Sequence, residues 1–226
     1  MSSIIFEVLF SLMRCLFVLV WTVSSVLATT APTLLPTTAP TTARSSQYSV
    51  KLFAGTGTSG STSGTGGQAT AAGFTNCRSV WLDTADVVYI NMDTASCIKT
   101  VDSSGIVHAF AGVCGTSGSS GDGGAASAAL MSSRTISIFV STVGSLSVAD
   151  FSNHKIRSVS TSGIMSTVVG TGTGSTSGDG GKATSANVYG PHGVWCNSVG
   201  TMYIASYADN LVRSVSTANI ILTFAG

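Results

Sequence analysis

From residue 78 to the end of the chain, apolar residues come in runs of five to seven, broken by Gly, Ser, Asn or Asp. The runs are rich in Val, Ile, Tyr and Thr, which suit a pleated surface, so each predicts a β-strand. The expected strands are 78–83, 87–92, 97–102 and 106–112, then 135–141, 145–150, 155–160 and 164–170, then 193–197, 201–206, 211–216 and 220–226. None keeps a 3.6-residue apolar period over ten positions, so no helix is expected there. Between the third and fourth strand of each set stand Ser103-Ser104-Gly105, Ser162-Gly163 and Thr217-Ala218-Asn219. Gly and Asn enter positive φ most easily, so their exchange at one place predicts a tight hairpin. Asp86, Gly144 and Gly200 form an equivalent set between first and second strands.

The pattern repeats. Phe-Ala-Gly or Val-Val-Gly ends at Gly55, Gly112, Gly170 and Gly226. After the first three come Gly64-Thr65-Gly66-Gly67, Gly121-Asp122-Gly123-Gly124 and Gly178-Asp179-Gly180-Gly181. The pairs Ala69 and Ala72, Ala126 and Ala129, and Ala183 and Ala186 follow, each set spaced by 57 residues. The Ala pairs predict a short helical turn whose methyls tuck against the next unit. Four strands joined by tight turns and repeated at this period are the signature of a β-propeller blade. The fold class is therefore all-β: a β-propeller with three four-stranded blades, from repeats 56–112, 113–170 and 171–226 within a domain 47–226. Residues 48–55 read as a spare fourth strand.

The N-terminal part differs. Arg14 precedes a thirteen-residue apolar stretch, 15–27, and Val26 and Ala28 sit at the −3 and −1 places of a cut before Thr29. That is the layout of a secretory signal peptide over 1–28. Glu7 and the apolar stretch 4–10 depart from it; uncut, residues 8–28 are long enough to span a bilayer as a signal anchor. Either outcome sends the remainder to a secreted or cell-surface location. Residues 29–46 are rich in Thr, Ala and Pro and read as a disordered stalk, either O-glycosylated or bare. No Asn-x-Ser/Thr sequon occurs.

Charged residues make up only 8% of the chain and the net charge is +1, so there is no long-range field for nucleic acid or anionic membranes. Nucleic acid is not an expected partner, and membrane contact is expected only through an uncut N-terminus. Cys77, Cys97, Cys114 and Cys196 remain after the targeting segment. Their spacing matches no zinc pattern. Three pairings are open, with a staple in or beside the first repeat among them.

The sequence resembles the NHL-repeat family of β-propellers. The likeness rests on Gly-Asp-Gly-Gly-x-Ala-x-x-Ala at 178–186, Gly-Pro-His-Gly-Val at 190–194 and Val-Ala-Asp-Phe-Ser-Asn-His-Lys-Ile-Arg-Ser-Val at 148–159. It covers residues 48–226. Met92 stands where the second repeat has Asp150, and Ala95 where it has Asn153, which places the first blade's second-to-third loop in question. The resemblance implies a six-bladed ring. Three blades do not close one, so the chain is read as part of a longer protein, or as half of a homodimer that completes the ring.

Some propellers similar to this family are zinc-dependent peptidyl-α-hydroxyglycine lyases, and Pro191-His192-Gly193 resembles their ligand stretch. His192 is thus a candidate metal ligand, but the equivalent positions at a spacing of 57, Arg78 and Thr135, offer no comparable partner. No metal or other cofactor is expected. Lys99, Arg157 and Arg213 recur at one third-strand place. They read either as a cation ring for an anionic ligand or, more simply, as donors to loop carbonyls. Asp122 and Asp179 supply one carboxylate per loop, too few for calcium. Candidate binding residues are Trp81, Trp195, Tyr203, Tyr207, Arg157 and Arg213. The expected function is an extracellular or cell-surface interaction module without catalysis, taking a protein or glycan partner on one propeller face. The alternatives are a fragment of a zinc lyase of similar fold and the sensor ectodomain of a membrane receptor or kinase.

Overall fold

A computed structural model describes residues 51–58 and 62–226. The signal or anchor segment 1–28, the stalk 29–46 and residues 48–50 of the spare strand lie outside the described residues. The chain divides into two units, Met1–Leu52 and Phe53–Gly226, and the second holds the twelve strands found among the described residues. The first sheet runs β1 (Cys77–Leu82), β2 (Val88–Met92), β3 (Cys97–Val101) and β4 (Val107–Ala111). The second runs β5 (Thr135–Val140), β6 (Leu146–Asp150), β7 (Lys155–Val159) and β8 (Met165–Val169). The third runs β9 (Pro191–Cys196), β10 (Met202–Ser206), β11 (Leu211–Val215) and β12 (Ile221–Ala225). Each is an antiparallel meander in chain order.

The hairpins form where the turn residues predict them. Asp86, Gly144 and Gly200 have positive φ, as do Gly105, Gly163 and Asn219. Both faces of the middle blade carry apolar side chains because both are covered, one by the first blade and one by the third. In β2 every residue is buried: Tyr89 faces the second blade, whereas Val88, Ile90 and Met92 join a separate cluster with Ala69, Ala72 and Val107. Ile98 and Ala111 pack against Ile138, Val148 and Val159 of the second blade. Phe139, Ile156 and Val169 in turn meet Val194, Ile204 and Ile221 of the third. This two-sided burial is why the strands read as continuous apolar runs rather than strict alternation.

The Ala pairs are 3₁₀ turns, Ala69–Ala71, Ala126–Ala128 and Ala183–Ser185, wedged into these clusters. Each is locked by a glycine. A Cβ on Gly121, at φ +93°, would meet the Ala129 Cα at 2.6 Å, and one on Gly178 would meet the Ala186 Cα at 2.7 Å. The same backbone bond closes each repeat: Gly55 N–H donates to Ala69 O, Gly112 to Ala126 O and Gly170 to Ala183 O.

The expected spare strand is not formed in its described part. Residues 51–55 belong to no strand. Gly55 keeps the anchoring bond of a strand end, but no third strand lies beside the segment to pair with it among the described residues. The first blade's second-to-third loop also takes its own form. In the second blade, Asp150 accepts from the Ser132 N–H at 2.9 Å and from Asn153 Nδ2 at 2.8 Å. In the first, Met92 and Ala95 are buried, and a disulfide joins Cys97 to Cys114 across a Cα separation of 5.0 Å. Gly115 N–H donates to Ala95 O at 2.8 Å, so a covalent staple replaces the carboxylate network.

Candidate functional site

The third-strand cations are internal. Lys99, Arg157 and Arg213 are among the largest fully buried side chains described. Lys99 Nζ donates to Ser63 O at 3.1 Å and to Thr62 O, and burial pushes its pKa down. Arg157 donates to Leu130 O at 3.2 Å, to Ser120 O at 3.1 Å and to Asp122 Oδ1 at 2.8 Å. Arg213 donates to Asn187 O, to Ser177 O and to Asp179 Oδ1. Each cation thus clamps the loop that precedes its blade. The sequence carried a signal for this pairing: Asp122 and Asp179 go with Arg157 and Arg213, whereas Thr65 goes with Lys99. Ser206 occupies the place of Asp150, and there Ser206 Oγ and Arg213 Nε find no hydrogen-bond partner.

Trp81 and Trp195 flank Phe139, with ring centroids 5.0 and 6.2 Å away. All three lie on first strands, which stand beside one another, so this is an aromatic row joining the blades. Tyr203 lies against Trp195 at 6.2 Å and Phe224 at 5.2 Å. Tyr207 is different: it is 68% exposed, in the loop after β10.

Tyr207 belongs to a rim at the end of the blades where first strands begin and second strands end. A backbone bond in each blade ties these two places together. Asp93 N–H donates to Asn76 O at 3.3 Å, Phe151 to Arg134 O at 3.0 Å and Tyr207 to Gly190 O at 2.9 Å. The rim therefore gathers Asp93, Phe151 and Tyr207 with Arg78, Arg134 and His192. The Arg134 guanidinium lies 4.4 Å from the Phe151 ring centroid. The rings of Phe151, His192 and Tyr207 form a triangle with sides of 6.3, 6.3 and 5.9 Å. Gly190, at φ +61°, leaves room for Phe151, whose Cε2 would stand 3.0 Å from an added Cβ. Beside the cluster Asn76, Cys77, Arg78, Asp93 and Thr94 line an open depression of about 320 Å³.

Arg78 pairs loosely with Asp93 at 3.9 Å, while Arg134 makes no ion pair among the described residues. His192 is held below its ordinary pKa first by partial burial, then by the charges of Arg78 and Arg134. Sequence reasoning missed Arg134 and Phe151, and a spacing of 57 misplaced one equivalence. Strand pairing aligns Thr135 with Cys77 and Pro191, not with Arg78 and His192. Arg78 and His192 are each the unpaired residue at a first-strand irregularity, the kind of place where a strand re-aims a side chain.

The other histidines lie elsewhere. His108 Nε2 is 2.7 Å from Asp102 Oδ2 on the outer strand. His154 Nδ1 accepts from Gly190 N–H at 3.2 Å. Among the described residues, no three His, Cys, Asp or Glu side chains converge on a metal-sized site.

No protein-family model matches the sequence, and no curated protein matches it. Solved structures do. A structural genomics protein of unknown function from Bacteroides thetaiotaomicron superposes with a TM-score of 0.52 at 18% identity, over 60% of this chain and 34% of that one. The fold is that of a β-propeller. Also similar are virginiamycin B lyase from Staphylococcus aureus (TM-score 0.44, 13% identity, 65% of this chain and 40% of that one) and an auxiliary nutrient binding protein from Bacteroides ovatus (0.47, 16%, 68% and 38%). This propeller chain spans 34 to 40% of the length of these structures.

Proposed function

We propose that this chain is an NHL-type β-propeller interaction module, carried outside the cell by its N-terminal segment, that works by binding rather than by catalysis. The observation that carries the reading is the rim. Exposed Tyr207, the half-buried ring of Phe151 and the unpaired Arg134 meet at the end of the blades where three first strands begin. Aromatic and Arg side chains dominate binding surfaces because they offer large contact area together with directed polar groups. Both are placed by backbone bonds that recur from blade to blade, so the rim is built before a ligand arrives. The N-terminal segment supports the extracellular placement by its signal-like order of charge, apolar run and small residues.

Ring completion belongs to the same reading. The third blade's outward face leaves Leu222 and Phe224 exposed, at 51% and 57%. Leu82 on the first blade is 49% exposed, whereas its counterpart Val140 is 4% exposed beneath a neighbouring blade. Further blades, from a longer chain or from a second copy, supply the missing covers and complete a ring of six. The module reading is tested by probing an array of glycans and extracellular peptides with the purified full chain. Saturable retention of a defined ligand class is expected; retention of none overturns the reading.

A further inference from the structure

We propose that the cluster of Arg134, Phe151, His192 and Tyr207 is a binding site for an acidic sugar, a pyranose ring bearing a carboxylate. This deepens the module reading and rests on it. The rings of His192 and Tyr207 stand 5.9 Å apart, inclined by 35°, and both residues are exposed, a span that one sugar ring covers. A pyranose presents a face of C–H bonds, weakly positive, that packs on the negative face of an aromatic ring. Tyr207 is open to such contact, and its phenol remains free to bond ring hydroxyls. Phe151 meets both rings at 6.3 Å, with interplanar angles of 87° to His192 and 53° to Tyr207.

The charge selects the acid. Arg134 projects over Phe151 with no carboxylate of the protein paired to it among the described residues. A guanidinium presents a planar fork that matches a carboxylate in two parallel hydrogen bonds, so an acid group on the bound ring completes it. The surroundings of His192 agree. The charged groups about it are Arg78 from β1 and Arg134 ahead of β5, with Asp93 drawn to Arg78, and Tyr207 is its neighbouring phenol. Partial burial first, then these cations, lower the pKa of the free imidazole, and a bound carboxylate offsets the cations and favours its proton. An acidic peptide fits less well, since it needs no such ring-wide span.

The test uses the full chain and the α-1,4-linked trimer of galacturonic acid, with its methyl ester as the neutral control of the same ring. Calorimetry is expected to show the acid binding at least tenfold more tightly than the ester. Arg134→Gln should weaken the acid about tenfold and leave the ester unchanged, while Tyr207→Ala should weaken both. Binding of the acid should tighten as pH falls from 8 to 5.5, and His192→Gln should flatten that dependence. All three side chains are at the surface, so thermal melts matching the parent confirm folding. Equal binding of acid and ester, or acid binding unchanged in Arg134→Gln, overturns the proposal. So does silence of both trimers. If the array then still yields a ligand lost in Tyr207→Ala, the sugar-acid assignment alone has failed and the module reading stands; no array ligand at all fails both.

Discussion

At the scale of single residues, the decisive feature is an arginine with no solvent exposure. Arg157 satisfies its guanidinium with two loop carbonyls and Asp122, and lies 3.8 Å from the buried Asp150. Removing a buried cation strands those acceptors, which is among the most costly kinds of substitution. Arg157→Ala is therefore expected to lower stability by about 3–5 kcal/mol in chemical denaturation. A loss below about 1 kcal/mol would show that the clamp is ornamental. Asp179 gives a pH signature. Burial works to raise its pKa, but the Thr223 hydroxyl and N–H and the Arg213 guanidinium outweigh it, so the folded value lies below the ordinary 3.8. A carboxylate lowered on folding adds stability that is fully present above the unfolded pKa and lost as pH falls through the folded one. Below pH 3.8 the parent's melting temperature should fall more steeply than that of Asp179→Asn; parallel curves would contradict the assignment.

At the scale of elements, the blades and their turns were legible because their causes are local. Short β-branched runs, Gly or Asn at hairpin tips and Ala beside a glycine-rich loop each leave a trace in sequence. The rim was not legible, for a geometric reason. The second repeat runs one residue late, with Val80, Ile138 and Val194 equivalent at spacings of 58 and 56, so a fixed period misaligns β5, and Arg134 becomes notable only when Phe151 lies against it. The described part of the expected spare strand, 51–55, forms no strand for a related reason: its residues have strand character, but strand structure needs a neighbour. The first blade shows how one element can be held by different chemistry. Its second-to-third loop has Met92 and Ala95 in place of Asp150 and Asn153, and Cys97–Cys114 closes it. A cross-link over a loop of this length contributes about 3 kcal/mol, chiefly by restricting the unfolded chain. Cys97→Ser with Cys114→Ser should cost that much and broaden hydrogen exchange in β2 and β3. An unchanged midpoint would mean the loop holds without it.

For the whole molecule, the blade interface occurs twice within the chain, and its two halves recur uncovered on the third blade and at Leu82 of the first. Burying such faces removes apolar area from water at about 25 cal/mol per Å². If a second copy completes the ring, light scattering on the full chain gives twice the 22.8 kDa of one copy; a clean monomer at micromolar concentration removes the two-copy ring. The rim does not depend on that outcome, since each blade ties its own rim residues. The account rests most directly on where a ligand binds. Two double variants of the full chain separate the ends of the blades: Arg134→Gln with Tyr207→Ala at the rim, and Val143→Ser with Val199→Ser at the opposite hairpins. Equilibrium binding of the ligand retained on the array should fall at least tenfold in the first and remain unchanged in the second. Retained binding in the rim variant, with loss in the hairpin variant, would place the working surface at the other end.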